Sequence, residues 1–157
     1  DKMELIVQKA VELGAYEIIP VAAKRCVVKL DEKKAAGKRS RWQGIAEAAA
    51  KQSKRGIIPQ IREVMNMKQA IAFAQQMDVR LIPYELAEDM GHTRELIGAV
   101  RPGQSVAIFI GPEGGFEETE IQEALQAGIE PITLGRRILR TETAGMTVLA
   151  WLGYLLE

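Results

Sequence analysis

Residues 111–115 form the first of two segments whose composition suits ligand chemistry. Their sequence, Gly-Pro-Glu-Gly-Gly, follows an apolar run and precedes a helical pattern. Open parallel sheets bind ligands beyond the carboxyl ends of their strands, and glycines allow a ligand to approach the backbone closely. The segment lacks the lysine and the spacing of phosphate-binding loops, and Glu113 would repel a phosphate. It therefore favours a neutral nucleoside with a cationic centre, with an ordinary glycine-rich turn as the alternative.

The second segment, residues 134–144, also lies where a strand pattern passes into a helix. The apolar pair Ile138 and Leu139 stands inside an otherwise polar loop. Exposed loops rarely need such a pair, whereas an adenine slot does. The alternatives are that a threonine only caps the last helix and that Arg140 only pairs with Glu142 on the surface. Glu85, after another strand pattern, marks a third candidate corner or simply a solvated charge.

Alternating helix and strand patterns surround these segments. Helical spacing predicts helices over residues 3–13, 33–54, 67–76, 93–100 and 117–126 and from about 143 onward, and short apolar runs predict strands over 18–21, 61–64, 79–84, 105–110 and 132–134. Within the strand predicted at 105–110, residues 106–110 run without a polar break, which predicts a strand buried on both faces. The last helix is apolar on more than one face, which predicts burial against its own sheet and a partner. This alternation indicates an α/β fold with a mostly parallel sheet flanked by helices.

Composition limits the class of protein. The 157 residues suit a single domain, residues 1–157, and 21 basic residues balance 21 acidic ones, so any RNA contact must come from local patches. One cysteine, Cys26, fits a reducing, cytoplasmic compartment, and one cysteine with one histidine cannot build the usual zinc site, so no metal is expected. There is neither a membrane-spanning apolar stretch nor a signal-peptide pattern. The chain opens at Asp1 inside a helical pattern, so we expect an upstream segment to be missing.

The two segments together resemble a known family, the bacterial 16S ribosomal RNA uridine N3-methyltransferases of the SPOUT class. The resemblance extends over nearly the whole chain and departs in detail at Glu117, where many relatives have a serine that caps a helix. The residues that carry it are 111–116, Leu134-Gly135 and 137–144, with Lys9, Glu12-Leu13-Gly14, Ile19-Pro20, Arg41-Trp42, 47–53, Arg55 and Pro59.

The resemblance implies a fold, a cofactor and a substrate. It implies a C-terminal trefoil knot, a homodimer, S-adenosyl-L-methionine as cofactor, and the 16S ribosomal RNA or the 30S subunit as partner. It also implies an N-terminal RNA-binding β-barrel domain, which is absent from this chain. The cofactor-binding residues implied by the resemblance are Glu85, Ile110, Gly111, Pro112, Glu113, Gly114, Gly115, Leu134, Gly135, Ile138, Leu139, Arg140, Thr141 and Ala144.

Transfer of a methyl group to uracil N3 requires that the N3 proton leave and that charge on the uracil oxygens be stabilised. We expect Arg140 to stabilise this charge and Glu142 to accept the proton, with Arg137 as a reserve. A basic helical region supplies candidate phosphate contacts, although such charge runs are usually solvated helix faces. The RNA-binding candidates are Lys38, Arg41, Lys54, Arg55 and Arg137.

Two alternative functions remain open from the sequence. The chain could belong to another SPOUT enzyme that methylates a ribose 2'-oxygen or a different base. It could also be a non-catalytic module that binds a nucleoside. The identity of the methylated nucleoside distinguishes the first alternative, and the absence of turnover distinguishes the second.

Overall fold

A computed structural model describes residues 2–25 and 32–157, so the prediction about Cys26 lies outside the described residues. Helices and short strands alternate along the chain. In chain order they are α1 (Lys2–Glu12), β1 (Glu17–Ile18), β2 (Val21–Ala22), α2 (Glu32–Gln52), β3 (Gln60–Ile61), β4 (Met65–Asn66), α3 (Met67–Ala74), β5 (Val79–Pro83), α4 (Met90–Gly98), β6 (Val106–Ile108), α5 (Glu118–Gln126), β7 (Glu130–Ile132) and α6 (Thr141–Leu156).

A three-stranded parallel sheet with the order β6-β5-β7 forms the centre of the C-terminal part. Successive side chains of a strand point to opposite faces, so Leu81 and Ile82 enter different cores. Ile82 packs with apolar residues of α3 and α5, whereas Leu81 packs with apolar residues of α4 and α6. The predicted α/β architecture, a parallel sheet with helices on both faces, is confirmed.

The most buried strand of this sheet is β5. The strand predicted at residues 105–110 packs on both faces, with Ala107 and Phe109 in one core and Val106 and Ile108 in the other, but most of its side chains are only partly buried. All three residues of β6 are only partly buried, whereas Leu81 and Ile82 of β5 are completely inaccessible. The reason is position, since β5 lies between two strands and β6 pairs with one strand among those described. An unbroken apolar run therefore identified a real strand but not its place in the sheet.

Two shorter parallel pairs, β1 with β3 and β2 with β4, replace the single strands predicted at residues 18–21 and 61–64. Pro20 has no backbone N–H and cannot donate to a ladder, although its carbonyl accepts from the Met65 amide at 3.0 Å. The register shifts by one residue between the two pairs. Such an extra residue is a bulge, which explains why one continuous strand is not formed.

The helices α1 and α2 pack against each other around a separate apolar core that includes Val7, Trp42 and Ile61. α1 ends before Gly14, whose φ of +100° is the left-handed conformation predicted for this position. α1 also packs along α6, which connects this part to the sheet. Among the described helices, none is long and apolar enough to cross a membrane.

Candidate functional site

Three loops meet at the carboxyl edge of the sheet because β6, β5 and β7 are parallel neighbours. The glycine-rich loop, residues 111–117, follows β6, and the second loop, residues 133–140, joins β7 to α6. The Thr141 hydroxyl donates to the Gly111 carbonyl oxygen at 3.0 Å and so joins the two loops directly. Gly145 of α6 lies against Ile110, where an added Cβ would be 3.8 Å from the Ile110 side chain. The two segments selected from the sequence are therefore adjacent in the fold.

The glycine-rich loop depends on its glycines in different ways. At Gly111 an added Cβ would lie 3.2 Å from the Phe116 amide nitrogen, which leaves too little space for a side chain. Gly115 has a φ of +78°, a conformation that other residues adopt only with strain. At Gly114 the nearest atoms to an added Cβ belong to Arg25, at 3.7 Å, which is ordinary contact. Gly111 and Gly115 are thus required by the loop itself, whereas at Gly114 a Cβ would fit against the Arg25 side chain without a clash.

The second loop starts from a buried hydroxyl pair. Thr93 and Thr133 are both buried, and the Thr133 amide donates to the Thr93 hydroxyl at 2.9 Å. The Gly135 amide donates in turn to the Thr133 hydroxyl at 3.2 Å, and Gly135 has a φ of +110°. Farther along, the Ile138 side chain is 88% exposed. An apolar side chain so exposed in this loop is available to contact a ligand.

Glu113 is the electrostatic link between the two loops. Its carboxylate accepts a hydrogen bond from the Lys2 ammonium group and lies 3.5 Å from the Arg140 guanidinium. The bond from Lys2, followed by the charges of Lys2 and Arg140, holds the pKa of the Glu113 carboxyl below its usual value. All three side chains are largely exposed, so these ion pairs are weak and a charged ligand could compete with them.

Glu142 lies in the first turn of α6, two residues after Arg140. Its Oε2 atom is buried and has no hydrogen-bond partner among the described residues. A carboxylate oxygen removed from water without a partner is costly, and a ligand that donates a proton or a hydrogen bond would relieve that cost. Arg140 is exposed beside it, so the predicted pair of catalytic residues stands at the entrance to the last helix.

The third corner is connected to the same edge through Tyr84. Its hydroxyl donates to the Glu118 carboxylate at 3.3 Å, which ties the end of β5 to the start of α5. Burial raises the pKa of the Tyr84 phenol, and the carboxylates of Glu118 and Glu85 add to the effect. Glu85 is exposed close to Tyr84, so the predicted corner is part of this edge.

The RNA-binding candidates do not form one patch of equivalent side chains. Arg41 donates to Glu4 at 2.9 Å, and this bond lowers the pKa of Glu4. Arg55 donates to the carbonyl oxygens of Val11 and Ala15, at 3.1 and 2.7 Å, and so stabilises the end of α1. The remaining candidates, Lys38, Lys54 and Arg137, are exposed or partly exposed. RNA contact by any of these five residues stays a prediction.

Three residues near the glycine-rich loop were not predicted from the sequence. Lys24 and Arg25, directly after β2, contact the loop and the start of α5 through hydrogen bonds to Thr119 and Gly114. Glu120 of α5 is almost completely buried and accepts from the Lys24 amide. A glutamate three residues after a helix start is a known capping pattern, which could have singled out Glu120. No sequence pattern indicated its distant partner.

Concave surfaces elsewhere are shallow and lie away from these loops. One is lined by residues of β4 and α3, including Met65 and Phe73, and another lies at the amino end of β5, near Val79 and Glu130. No group of three or more potential metal ligands occurs within residues 2–25 and 32–157. The three loops at the carboxyl edge are therefore the candidate site.

Comparison with known proteins identifies the family. The family model described as "RNA methyltransferase domain" matches residues 1–153. The chain is 40% identical to ribosomal RNA small subunit methyltransferase E of Bacillus subtilis, over 100% of this chain and 62% of that protein. It is 41% identical to the protein of the same name from Mesomycoplasma hyopneumoniae, over 93% of this chain and 61% of that protein.

Solved structures agree with this assignment. The ribosomal RNA small subunit methyltransferase E of Neisseria gonorrhoeae, solved bound to S-adenosyl methionine, is 35% identical to this chain, with a TM-score of 0.83. The match covers 99% of this chain and 62% of that structure, so the chain spans about three fifths of the length of these relatives. From its sequence and its fold, the chain belongs to the RNA methyltransferase domain family.

Proposed function

We propose that this chain binds S-adenosyl-L-methionine and transfers a methyl group to N3 of a uridine in 16S ribosomal RNA. The observation that carries the proposal is the junction of the two loops, where Thr141 donates to the Gly111 carbonyl oxygen at the carboxyl edge of a parallel sheet. Relatives named ribosomal RNA small subunit methyltransferase E support the substrate class. A relative bound to S-adenosyl methionine supports the cofactor.

The residues at this edge fit the cofactor. The absence of a side chain at Gly114 allows a ligand to approach the backbone once the exposed Arg25 side chain moves aside, and the exposed Ile138 offers an apolar surface for an adenine ring. When bound, S-adenosylmethionine supplies a methyl group on a positively charged sulfur. We assign its binding to the backbone and side chains of Glu85, Ile110, Gly111, Pro112, Glu113, Gly114, Gly115, Leu134, Gly135, Ile138, Leu139, Arg140, Thr141 and Ala144.

Arg140 and Glu142, at the start of α6, have separate roles in the reaction at uracil. Arg140 is exposed next to Glu113, and its guanidinium stabilises the negative charge that develops on a uracil oxygen as N3 loses its proton. Glu142, whose Oε2 is buried without a partner among the described residues, accepts that proton. Arg137, exposed in the second loop, is the reserve for the first role.

The remaining properties of the family complete the proposal. The chain forms a homodimer, its C-terminal segment forms a trefoil knot, and it acts in the cytoplasm on the 16S ribosomal RNA or the 30S subunit. Exposed Lys38 and Lys54 on and after α2, with Arg137 at the site, contact RNA phosphates. Arg41 and Arg55 can contact RNA phosphates only by giving up their hydrogen bonds to Glu4 and to the end of α1, respectively.

The test measures binding and product separately. Calorimetry of the 157-residue chain with S-adenosylmethionine should give saturable binding. Unmethylated 30S subunits treated with the full-length protein and cofactor should yield N3-methyluridine by nucleoside mass spectrometry. A 2'-O-methylated nucleoside or another methylated base would support a different RNA methyltransferase. Binding without any methylated product would support a non-catalytic nucleoside-binding module. No binding at millimolar cofactor would overturn the proposal.

A further inference from the structure

Glu120 is the charged residue most completely buried near the candidate site, with 2% of its surface exposed. One carboxylate oxygen accepts from the Glu117 amide at 2.9 Å, which closes the start of α5 on itself. The other accepts from the Lys24 amide at 3.2 Å, on a segment 96 residues away in the chain. A helix cap needs only the first of these bonds. The second joins two distant segments.

The segment that Glu120 holds contacts the glycine-rich loop directly. The Arg25 guanidinium donates to the Gly114 carbonyl oxygen at 2.8 Å, and the Arg25 side chain lies within contact distance of the space above Gly114. The Lys24 ammonium group donates to the Thr119 hydroxyl at 3.2 Å. Residues 24 and 25 therefore contact both ends of the stretch 114–120, and the Glu120 carboxylate is the buried contact among these exposed ones.

The buried Glu120 carboxylate does more than cap the start of α5. Burial of a carboxylate is unfavourable unless it receives hydrogen bonds, and backbone amides are the partners here. A bond to a backbone amide also fixes main-chain position more strictly than a contact between two flexible side chains. The position of Arg25 over Gly114 therefore depends on Glu120 through the backbone at Lys24 rather than through a direct contact of the two side chains.

We propose that Glu120 is a positioning residue for cofactor binding. Its carboxylate holds the backbone at Lys24, so that Arg25 keeps the Gly114 carbonyl and the glycine-rich loop in the conformation that accepts S-adenosylmethionine. This role rests on the proposed function. Glu120 itself does not touch the cofactor, and its effect passes through Arg25.

The test is a double-mutant cycle on cofactor affinity. In the 157-residue chain, Glu120→Gln and Arg25→Ala should each raise the Kd for S-adenosylmethionine about tenfold by calorimetry, because each releases the same loop. The Kd of the double variant should be no higher than the higher of the two single-variant values, because both substitutions break the same connection. Hydrogen exchange at the Lys24 amide in the ligand-free chain should accelerate in Glu120→Gln.

Matched controls remove the same charges elsewhere. Glu123→Gln, on the exposed side of α5, and Arg94→Ala, exposed on α4, should leave the Kd within twofold of the parent. An unchanged Kd in Arg25→Ala, or additive effects in the double variant, overturns the positioning role while leaving the proposed function intact. If Glu120→Gln fails to fold, Arg25→Ala decides alone. Absence of binding by the parent chain overturns the proposed function, and the positioning role with it.

Discussion

Arg140 combines exposure with a fixed place at the junction of the two loops. It precedes α6 directly, its side chain is 73% exposed, and it lies 3.5 Å from Glu113 on the opposite loop. An ion pair so exposed contributes little to folding stability. The guanidinium is therefore free to exchange Glu113 for negative charge on a substrate, which is what stabilisation of a uracil oxyanion requires.

Replacement of Arg140 should affect turnover rather than folding. We expect Arg140→Ala to lower kcat about 100-fold, as loss of one preorganised charge donor does in other enzymes, with RNA affinity nearly unchanged. Single-turnover methylation of 30S subunits and filter binding measure the two quantities. Arg94→Ala, an exposed arginine on α4, is the control. Equal turnover in Arg140→Ala and the parent would move the assignment to Arg137 or Glu142.

At this same scale, sequence patterns predicted residues whose context is local. Ile138 was selected because an apolar residue in a polar loop is unusual; its side chain is 88% exposed, and its role in an adenine slot stays a prediction. Arg25 and Glu120 were not selected, because their significance comes from contacts between residues 89 and 96 positions apart. Spacing along the chain contains no information about such pairs, so only the folded structure identifies them.

The glycine-rich loop, as an element, contains glycines that serve the loop and one that serves a ligand. A residue other than glycine at position 115 would adopt a φ near +78°, which costs roughly 1 to 3 kcal/mol. At Gly114 a Cβ would meet only the Arg25 side chain, at the ordinary contact distance of 3.7 Å. The loop thus separates the requirements of folding from those of binding.

Two substitutions should separate these requirements. Gly115→Ala should lower the free energy of unfolding by roughly 1 to 3 kcal/mol, measured by chemical denaturation. Gly114→Val should leave unfolding nearly unchanged and weaken S-adenosylmethionine binding at least about tenfold by calorimetry, because the side chain fills the approach to the backbone. Unaltered affinity in a folded Gly114→Val chain would show that no ligand approaches there.

Two strands of the central sheet, β5 and β6, were predicted near their observed positions, but their relative burial was not, and the strand predicted at residues 132–134 lies at Glu130–Ile132. Residues 79–84 were predicted as a strand, and β5 covers all but the last of them, yet the polar Arg80 concealed that this strand is the most buried. Residues 106–110 were apolar without interruption but became the partly buried β6. Burial depends on which strands pair, and pairing is decided by the three-dimensional order β6-β5-β7, which hydrophobic runs do not encode.

Because the whole chain has no net charge, RNA binding must depend on local groups of basic residues. Twenty-one basic residues balance twenty-one acidic ones, so the chain has no net attraction for phosphate. Several basic side chains are also occupied within the fold, as Arg41 is by Glu4 and Arg55 by the end of α1. Affinity for RNA should therefore depend on the few cations that remain exposed near the site.

The last helix carries the surface at which we propose that a second copy binds. Ala144, Val148 and Leu152 lie four residues apart and are buried, so one stripe of α6 belongs to the core of the protomer. Tyr154, which is 85% exposed, falls outside this stripe. Leu155, seven residues after Val148 and 52% exposed, continues the stripe at the C-terminal end of the helix. The helix thus leaves apolar surface exposed near its C-terminal end, and we propose that a second copy of the chain covers it.

This division decides which substitution tests the homodimer. Leu152→Glu would place a charge in the core of the protomer, where Leu152 is only 8% exposed, and would unfold the chain rather than separate two chains. The double variant Tyr154→Glu, Leu155→Glu changes only exposed side chains, so it should keep its helical circular dichroism. It should sediment as a monomer, whereas the parent should sediment at twice the chain mass at micromolar concentration. Val64→Glu, at an exposed apolar residue before β4, should remain dimeric. A monomeric parent would overturn the homodimer. A double variant that stays dimeric would place the dimer surface away from the end of α6.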